Sequence, residues 1–177
     1  MTTPVTQAEI THAIRNVPDF PKAGIQFKDI TPVLADARLF HGAIELLTEN
    51  FKPGEIDAVV GIDARGFIFA AAAATRLNAG FVPVRKKGKL PYQTIEEDYA
   101  LEYGQATVAM HVDALKPGAR VLLVDDLLAT GGTAAAASSL VKKLGGQILE
   151  VGFLIELKFL DGRSRLKDLN VRSLVTY

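Results

Sequence analysis

Asp125 and Asp126 are adjacent carboxylates that shortly precede a run of small residues, Ala129-Thr130-Gly131-Gly132-Thr133. Paired acids accept hydrogen bonds from vicinal hydroxyls, and the backbone N–H groups of a small-residue loop donate to an anion. Together they suit a sugar that carries a phosphate. A second set lies upstream in Gly61-Ile62-Asp63-Ala64-Arg65-Gly66, where an acid and an arginine alternate with small residues. A loop that grips a phosphate or pyrophosphate while staying open has these needs. Arg65 falls at an expected helix start and opposes the macrodipole there, a conflict that a bound anion relieves. Between the two sets, Arg85, Lys86, Lys87 and Lys89 precede Glu96-Glu97-Asp98 and Glu102. Gly88 and Gly104 bound this stretch, which has no clear buried pattern and reads as a mobile cover over an anionic substrate.

Such loops need a sheet edge to stand on. Val121 to Val124 are apolar without alternation and stop at the two aspartates, the pattern of a strand buried on both faces of a parallel sheet. Ala134 to Leu144 is an alanine-rich helix closed by Gly145 and Gly146. Ile56 to Ile62 is the first core strand, and Phe67 to Leu77 is the helix after it. A strand, a loop and a helix N-terminus in that order aim backbone N–H groups at a point on the sheet's carboxyl edge. Neither loop has the lysine of the nucleoside-triphosphate motif, and no G-x-G-x-x-G opens a helix.

Further strands are expected at Phe81 to Arg85, Gln105 to Val112, Ile148 to Leu157 and Val171 to Val175, with a helical turn over Ser164 to Leu169. Thr6 to Val17 reads as an amphipathic helix opened by a Thr6–Glu9 capping box, and Asp36 caps another that runs to about Phe51. Ile25 to Leu34 alternates in part and includes Phe27 beside Lys28 and Asp29, an aromatic suited either to stacking or to core packing. The alternation of strands and helices from residue 56 onward gives an α/β class with a mostly parallel sheet, and 177 residues suit one domain.

Composition narrows the partners. Lys plus Arg equals Asp plus Glu at 20 each, so no basic field recommends nucleic acid. The absence of cysteine removes thiolate catalysis, disulfides and Cys-ligated zinc, while His12, His41 and His111 are scattered and fit no metal motif. No run is apolar enough for a membrane span, and the amino terminus has no signal-like pattern, so the expectation is a soluble cytoplasmic protein.

These residues resemble the type I phosphoribosyltransferases. Asp125 to Thr133 is similar to the family's phosphoribosyl-pyrophosphate signature, and Gly61 to Phe67 to its pyrophosphate loop. Arg85 to Pro91 with Leu101-Glu102-Tyr103-Gly104 resembles the catalytic cover of the adenine-specific branch, and Phe27 to Pro32 its base-recognition segment. The resemblance implies a single domain with a small N-terminal hood over residues 1–34 and a core over 35–177, including a flexible cover at about 86–104. It also implies transfer of the 5-phosphoribosyl group of 5-phosphoribosyl 1-diphosphate to N9 of adenine, giving AMP and diphosphate.

Carried over by position, Asp125 and Asp126 hold the ribose hydroxyls, and Ala129, Thr130, Gly131, Gly132 and Thr133 hold the 5-phosphate. Arg65, Arg85 and Lys89 meet the pyrophosphate, Asp63, Ala64, Lys86 and Tyr103 join them in binding the donor, and Arg65, Asp125 and Asp126 are also counted as catalytic. Phe27 stacks on adenine while the backbone at Ile25 and Lys28 reads its edge, and Glu102 handles the proton. Mg2+ is expected through substrate oxygens and water, without direct protein ligands. A homodimer is implied, with the amino-terminal region and the helix after the Asp63 loop near its interface. Lys28 stands where many members have arginine, which leaves base reading to the backbone, and Tyr92 stands at a cover position that is often glycine. Two alternatives stay open: a hypoxanthine, guanine or xanthine phosphoribosyltransferase, and a non-catalytic nucleotide-binding regulator on the same fold.

Overall fold

The computed structural model describes residues 3–100 and 104–177, and the chain forms two compact units, 1–46 and 47–177. In the first unit, α1 (Gln7–Ala13) opens with the expected capping box: the Thr6 hydroxyl accepts from the Glu9 N–H, and the Glu9 carboxylate accepts from the Thr6 N–H. The helix stops short of the expected Val17. Val17 precedes Pro18, whose ring disfavours helical backbone in the residue before it, and Arg15–Pro18 instead forms β1. β1 pairs antiparallel with β2 (Gln26–Asp29), with Val17 opposite Phe27. The stretch Ile25 to Leu34, which alternates only in part, is divided: Ile30 follows the strand, and α2 (Thr31–Ala35) starts with Pro32 in its first turn. Asp36 accepts from the Leu39 N–H at the head of α3 (Ala37–Thr48), as its cap role requires.

The second unit holds a seven-stranded sheet in the order β5-β6-β4-β3-β7-β8-β9. Its strands are β3 (Ala58–Ile62), β4 (Gly80–Lys86), β5 (Thr94–Ala100), β6 (Gln105–His111), β7 (Arg120–Leu128), β8 (Gln147–Glu156) and β9 (Val171–Thr176). The run from β4 to β9 is parallel, while β6 joins β4 antiparallel and β5 joins β6 antiparallel. All of β3 is buried, which explains its unbroken apolar sequence. Val60, Ile62, Val121 and Leu123 share a core with Ala137, Leu140 and Val141 of α5 (Gly132–Lys143). On the opposite side Gly61 lets Phe67 and Ala70 of α4 (Gly66–Leu77) approach its backbone, where a Cβ would come within 2.7 Å of the Ala70 methyl.

β7 runs through both aspartates to Leu128 instead of ending at them, because Asp125 and Leu127 still pair with Phe153 and Ile155 of β8. α5 likewise begins two residues before the expected Ala134. The β3–α4–β4 crossover leaves in one direction along the sheet and β7–α5–β8 in the other, so the strand order reverses between β3 and β7. In an open α/β sheet such a reversal leaves a crevice beyond the carboxyl ends of the two strands. After β8, single 3₁₀ turns at Lys158–Leu160 and Gly162–Arg165 replace the helical turn expected further on.

Candidate active site

Both small-residue loops emerge at that reversal. The loop after β3 is held by two crossed ion pairs, one to each neighbouring strand. Arg85, near the end of β4, donates from Nε to Asp63 Oδ2 at 3.1 Å, and Arg65 Nε lies 2.8 Å from Asp126 Oδ2 on β7. Arg85 also donates to the Lys89 carbonyl at 2.9 Å, and the Asp63 N–H donates to the Val84 carbonyl. Arg65 stands at the N-terminal boundary of α4, and the Asp126 carboxylate beside it supplies the negative charge that a helix start favours. Ala64 and Lys86 are exposed.

The loop after β7 has no charged side chain. Ala129 to Thr133, with Asp125 and Leu127, line a cradle of about 70 Å³. Gly131 has φ +80°, and a Cβ there would lie 2.3 Å from the Gly162 carbonyl oxygen. Gly162 in turn has no room for a Cβ, which would meet the Ala129 carbonyl at 2.3 Å. The turn after β8 thus clamps the cradle from outside. Arg163 fixes that turn by donating from Nε and Nη2 to the buried Glu156 carboxylate at 2.7 and 2.8 Å, and from Nη1 to the Val171 carbonyl. The Arg163 guanidinium holds the Glu156 carboxyl below its ordinary value.

Asp125 lies between the two loops. Its Oδ1 accepts from the Asp126 N–H at 2.8 Å, and Gly66 comes so close that a Cβ would meet that oxygen at 2.5 Å. Burial first, and then the neighbouring Asp126, push the Asp125 carboxyl well above its ordinary value. Burial also raises Asp126, against the opposing pull of Arg65.

The structure therefore brings together Asp63, Ala64, Arg65, Arg85, Lys89, Asp125, Asp126 and the cradle from Ala129 to Thr133. Ile25, Phe27 and Lys28 belong to the first unit. There Phe27 is half-buried with its ring 5.1 Å from that of Phe20, edge to face, and the Lys28 ammonium donates to Asn16. Glu102 and Tyr103 lie outside the described residues. Tyr92 is 58% exposed, and its N–H donates to His111 Nε2 at 3.4 Å. β5 pairs with β6 through seven register partners, so the hairpin half of the expected cover is part of the sheet, and Tyr99 lies against Gly132.

Sequence reasoning passed over three contributors. Leu127 lines the cradle because β7 continues past the aspartates; the apolar Leu127-Leu128 pair was the available signal. Gly66 admits Asp125, and Gly162 closes the cradle. Both are close backbone approaches between segments far apart in sequence, which no local pattern reports.

Residues 29–173 match the model of the phosphoribosyl transferase domain. A curated adenine phosphoribosyltransferase of Acidothermus cellulolyticus is 57% identical over 162 residues, 92% of each chain. The crystal structure of the adenine phosphoribosyltransferase from Rhodothermus marinus is 55% identical and superposes with a TM-score of 0.91 over 97% of this chain and 98% of that one. The Saccharomyces cerevisiae enzyme, solved with an imino-altritol bisphosphate and adenine, is 41% identical with a TM-score of 0.90, covering 95% of this chain and 97% of its own.

Proposed function

The chain belongs to the phosphoribosyl transferase family, and from that premise we propose that it transfers the 5-phosphoribosyl group of 5-phosphoribosyl 1-diphosphate to N9 of adenine, releasing AMP and diphosphate. The observation that carries this reading is the pair of anion loops at the sheet reversal with Asp125 and Asp126 between them. One loop serves each phosphorylated end of the donor, and the acids serve the sugar that joins them.

As the bond from the ribose carbon to pyrophosphate breaks, positive charge grows on the sugar and negative charge on the leaving group. The cradle N–H groups from Ala129 to Thr133 anchor the 5-phosphate. Arg65, Arg85 and Lys89 face the leaving diphosphate, and each well-aimed donor lowers the barrier by roughly 2–4 kcal/mol. Asp125 and Asp126 orient the ribose hydroxyls and set carboxylate charge beside the oxocarbenium-like carbon. Adenine attacks with inversion, stacked on Phe27 and read along its edge by backbone groups at Ile25 and Lys28. Glu102 takes or balances the N9 proton, and a closed cover excludes the water that would waste the donor.

Among the described residues no group of three His, Cys, Asp or Glu side chains converges on a metal site. The oxygen donors at the crevice are the carboxylates of Asp63, Asp125 and Asp126. That set fits Mg2+ brought in on donor oxygens and water, with carboxylates orienting its shell. Bound in that way, the ion supplies positive charge against the departing diphosphate.

We further propose a homodimer in the cytoplasm. Ile68 of α4 is 40% exposed, and Phe81, whose ring packs edge to face on that of Phe67 in the same helix, is 38% exposed; together they offer apolar surface of the kind that subunit contact covers. No helix among the described residues is long and apolar enough to cross a membrane. Incubation of adenine, hypoxanthine, guanine and xanthine separately with donor and Mg2+ tests the activity: AMP is the expected product, and IMP, GMP or XMP at higher kcat/KM, or no nucleotide at all, refutes it. Glu102→Gln tests the proton role, with kcat expected to fall about 10²–10⁴-fold at nearly unchanged donor KM.

A further inference from the structure

A groove of about 460 Å³ runs along one flank of α5, opposite the segment that follows the Gly162 turn. Ala135, Ser139 and Lys142 face it at helical spacing, so the open flank extends about 10 Å along the helix. Leu166 and Leu169 close the far wall. The charges are one-sided. Lys142, Lys143, Arg165 and Lys167 line the groove with Asp168 as its single acid, in a chain whose formal net charge is zero. Lys143 is paired with Glu97 of β5, whereas Lys142, Arg165 and Lys167 meet no carboxylate among the described residues.

Lysines in the last turn of α5 offset the carbonyl end of its dipole. That role does not account for Arg165 and Lys167, which reach the same hollow from a different segment. Three uncompensated cations over a partly apolar floor are complementary to a small phosphate-bearing molecule with an apolar part. Arg165 also links the groove to the cradle, since a Cβ on Gly132 would lie 3.5 Å from its Nη1.

We propose that this groove is a second anion site, separate from the substrate crevice, for a small phosphate-bearing effector. Occupancy draws on Arg165 and adds negative charge beside the first residue of α5, which weakens the cradle's hold on the donor 5-phosphate. The effect is a raised donor KM at unchanged kcat.

Inorganic triphosphate is the probe. The full chain is loaded with saturating 5-phosphoribosyl 1-diphosphate and Mg2+, without adenine, and titrated calorimetrically at matched free Mg2+. One further equivalent binds if the groove is a site. Lys142→Gln/Lys167→Gln then weakens that binding about tenfold or more, while its kcat and donor KM without triphosphate stay within about twofold of wild type. Lys167→Gln alone leaves the last turn of α5 intact and weakens binding by about threefold. No binding to the loaded enzyme, or equal affinity in the double variant, overturns the proposal. Either result leaves the assigned transferase activity untouched, because that activity is read separately.

Discussion

The loop after β3 and the loop after β7 stand on adjacent strands and open on the same crevice, yet different forces shape them. Asp63 and Arg65 pull the first loop toward Arg85 on one side and Asp126 on the other, a geometry set by charge. The second loop has no charge to pull, and it is set by the close approach of Gly131 and Gly162 and the clamp that Arg163 places on the outer turn. A loop fixed by ion pairs can exchange partners when an anionic ligand arrives. A loop fixed by backbone contact cannot, which suits the role proposed for it as a rigid seat for the end of the substrate that does not react. In the proposed reaction the pyrophosphate, which must leave, faces the adjustable loop.

Gly131→Ala is the strongest way to break this contrast. The methyl group meets the Gly162 carbonyl and the residue is held at positive φ, so stability falls by at least about 2 kcal/mol. The cradle N–H groups are displaced with it, and kcat/KM drops about 100-fold or more. Thermal unfolding and steady-state kinetics check both. Wild-type behaviour would show that the second loop is as adaptable as the first.

Arg65→Ala is expected to be milder for stability. The buried Asp126 loses its partner, but the Arg65 side chain is 39% exposed, so the cost is about 1–2 kcal/mol, below that of breaking a fully buried pair. Activity is expected to fall about 10- to 100-fold, because in the proposed reaction the lost group is a charge-assisted donor to the leaving end. Arg65→Lys recovers the charge without the planar fork and should regain only part of it.

Asp125→Asn separates stability from function between the loops. A carboxyl whose folded pKa lies above its unfolded value stabilises fully below the unfolded value, and loses that contribution as pH rises through the folded value. Asp125 is raised by burial and by Asp126, so at neutral pH ionisation works against the fold. The amide still accepts from the Asp126 N–H and removes that cost. The variant therefore melts at a higher temperature than wild type at pH 7–8, with the gap closing toward pH 4, while donor affinity falls about tenfold. A melting difference independent of pH would show that the carboxyl is not under this strain.

The contrast was half legible in the sequence. Asp63, Arg65, Asp125 and Asp126 announced themselves because charge beside small residues at a strand end is costly without a partner or ligand. Strand and helix positions in the second unit followed from unbroken apolar runs, as at Val121 to Val124, although pairing with β8 carries β7 past the aspartates. What sets the second loop's shape was hidden, since Gly131 and Gly162 meet across 31 positions and a glycine in a D-G turn looks the same whether or not a backbone lies against it. The crossing of the first loop's pairs was hidden for a similar reason. Arg65 read as a ligand for phosphate, and only the strand order β4-β3-β7 brings Asp126 beside it. Upstream, helical periodicity masked β1, where Pro18 was the decisive residue.

The smallest expected effect tests whether charge has any part in the second loop's surroundings. Glu97 on β5 is ion-paired with Lys143 at the far end of α5, and the same strand sets Tyr99 against Gly132 at the near end. If backbone pairing and packing hold β5 in place, the ion pair is incidental to the cradle. Glu97→Gln should then cost about 0.2–1 kcal/mol, as exposed pairs do, with kcat and donor KM within about twofold of wild type. The same substitution frees Lys143 for the α5 groove, so triphosphate affinity there should rise slightly. A several-fold loss in donor affinity would instead mean that the pair helps press Tyr99 onto Gly132, and that the rigid loop, like its neighbour, depends on a charge.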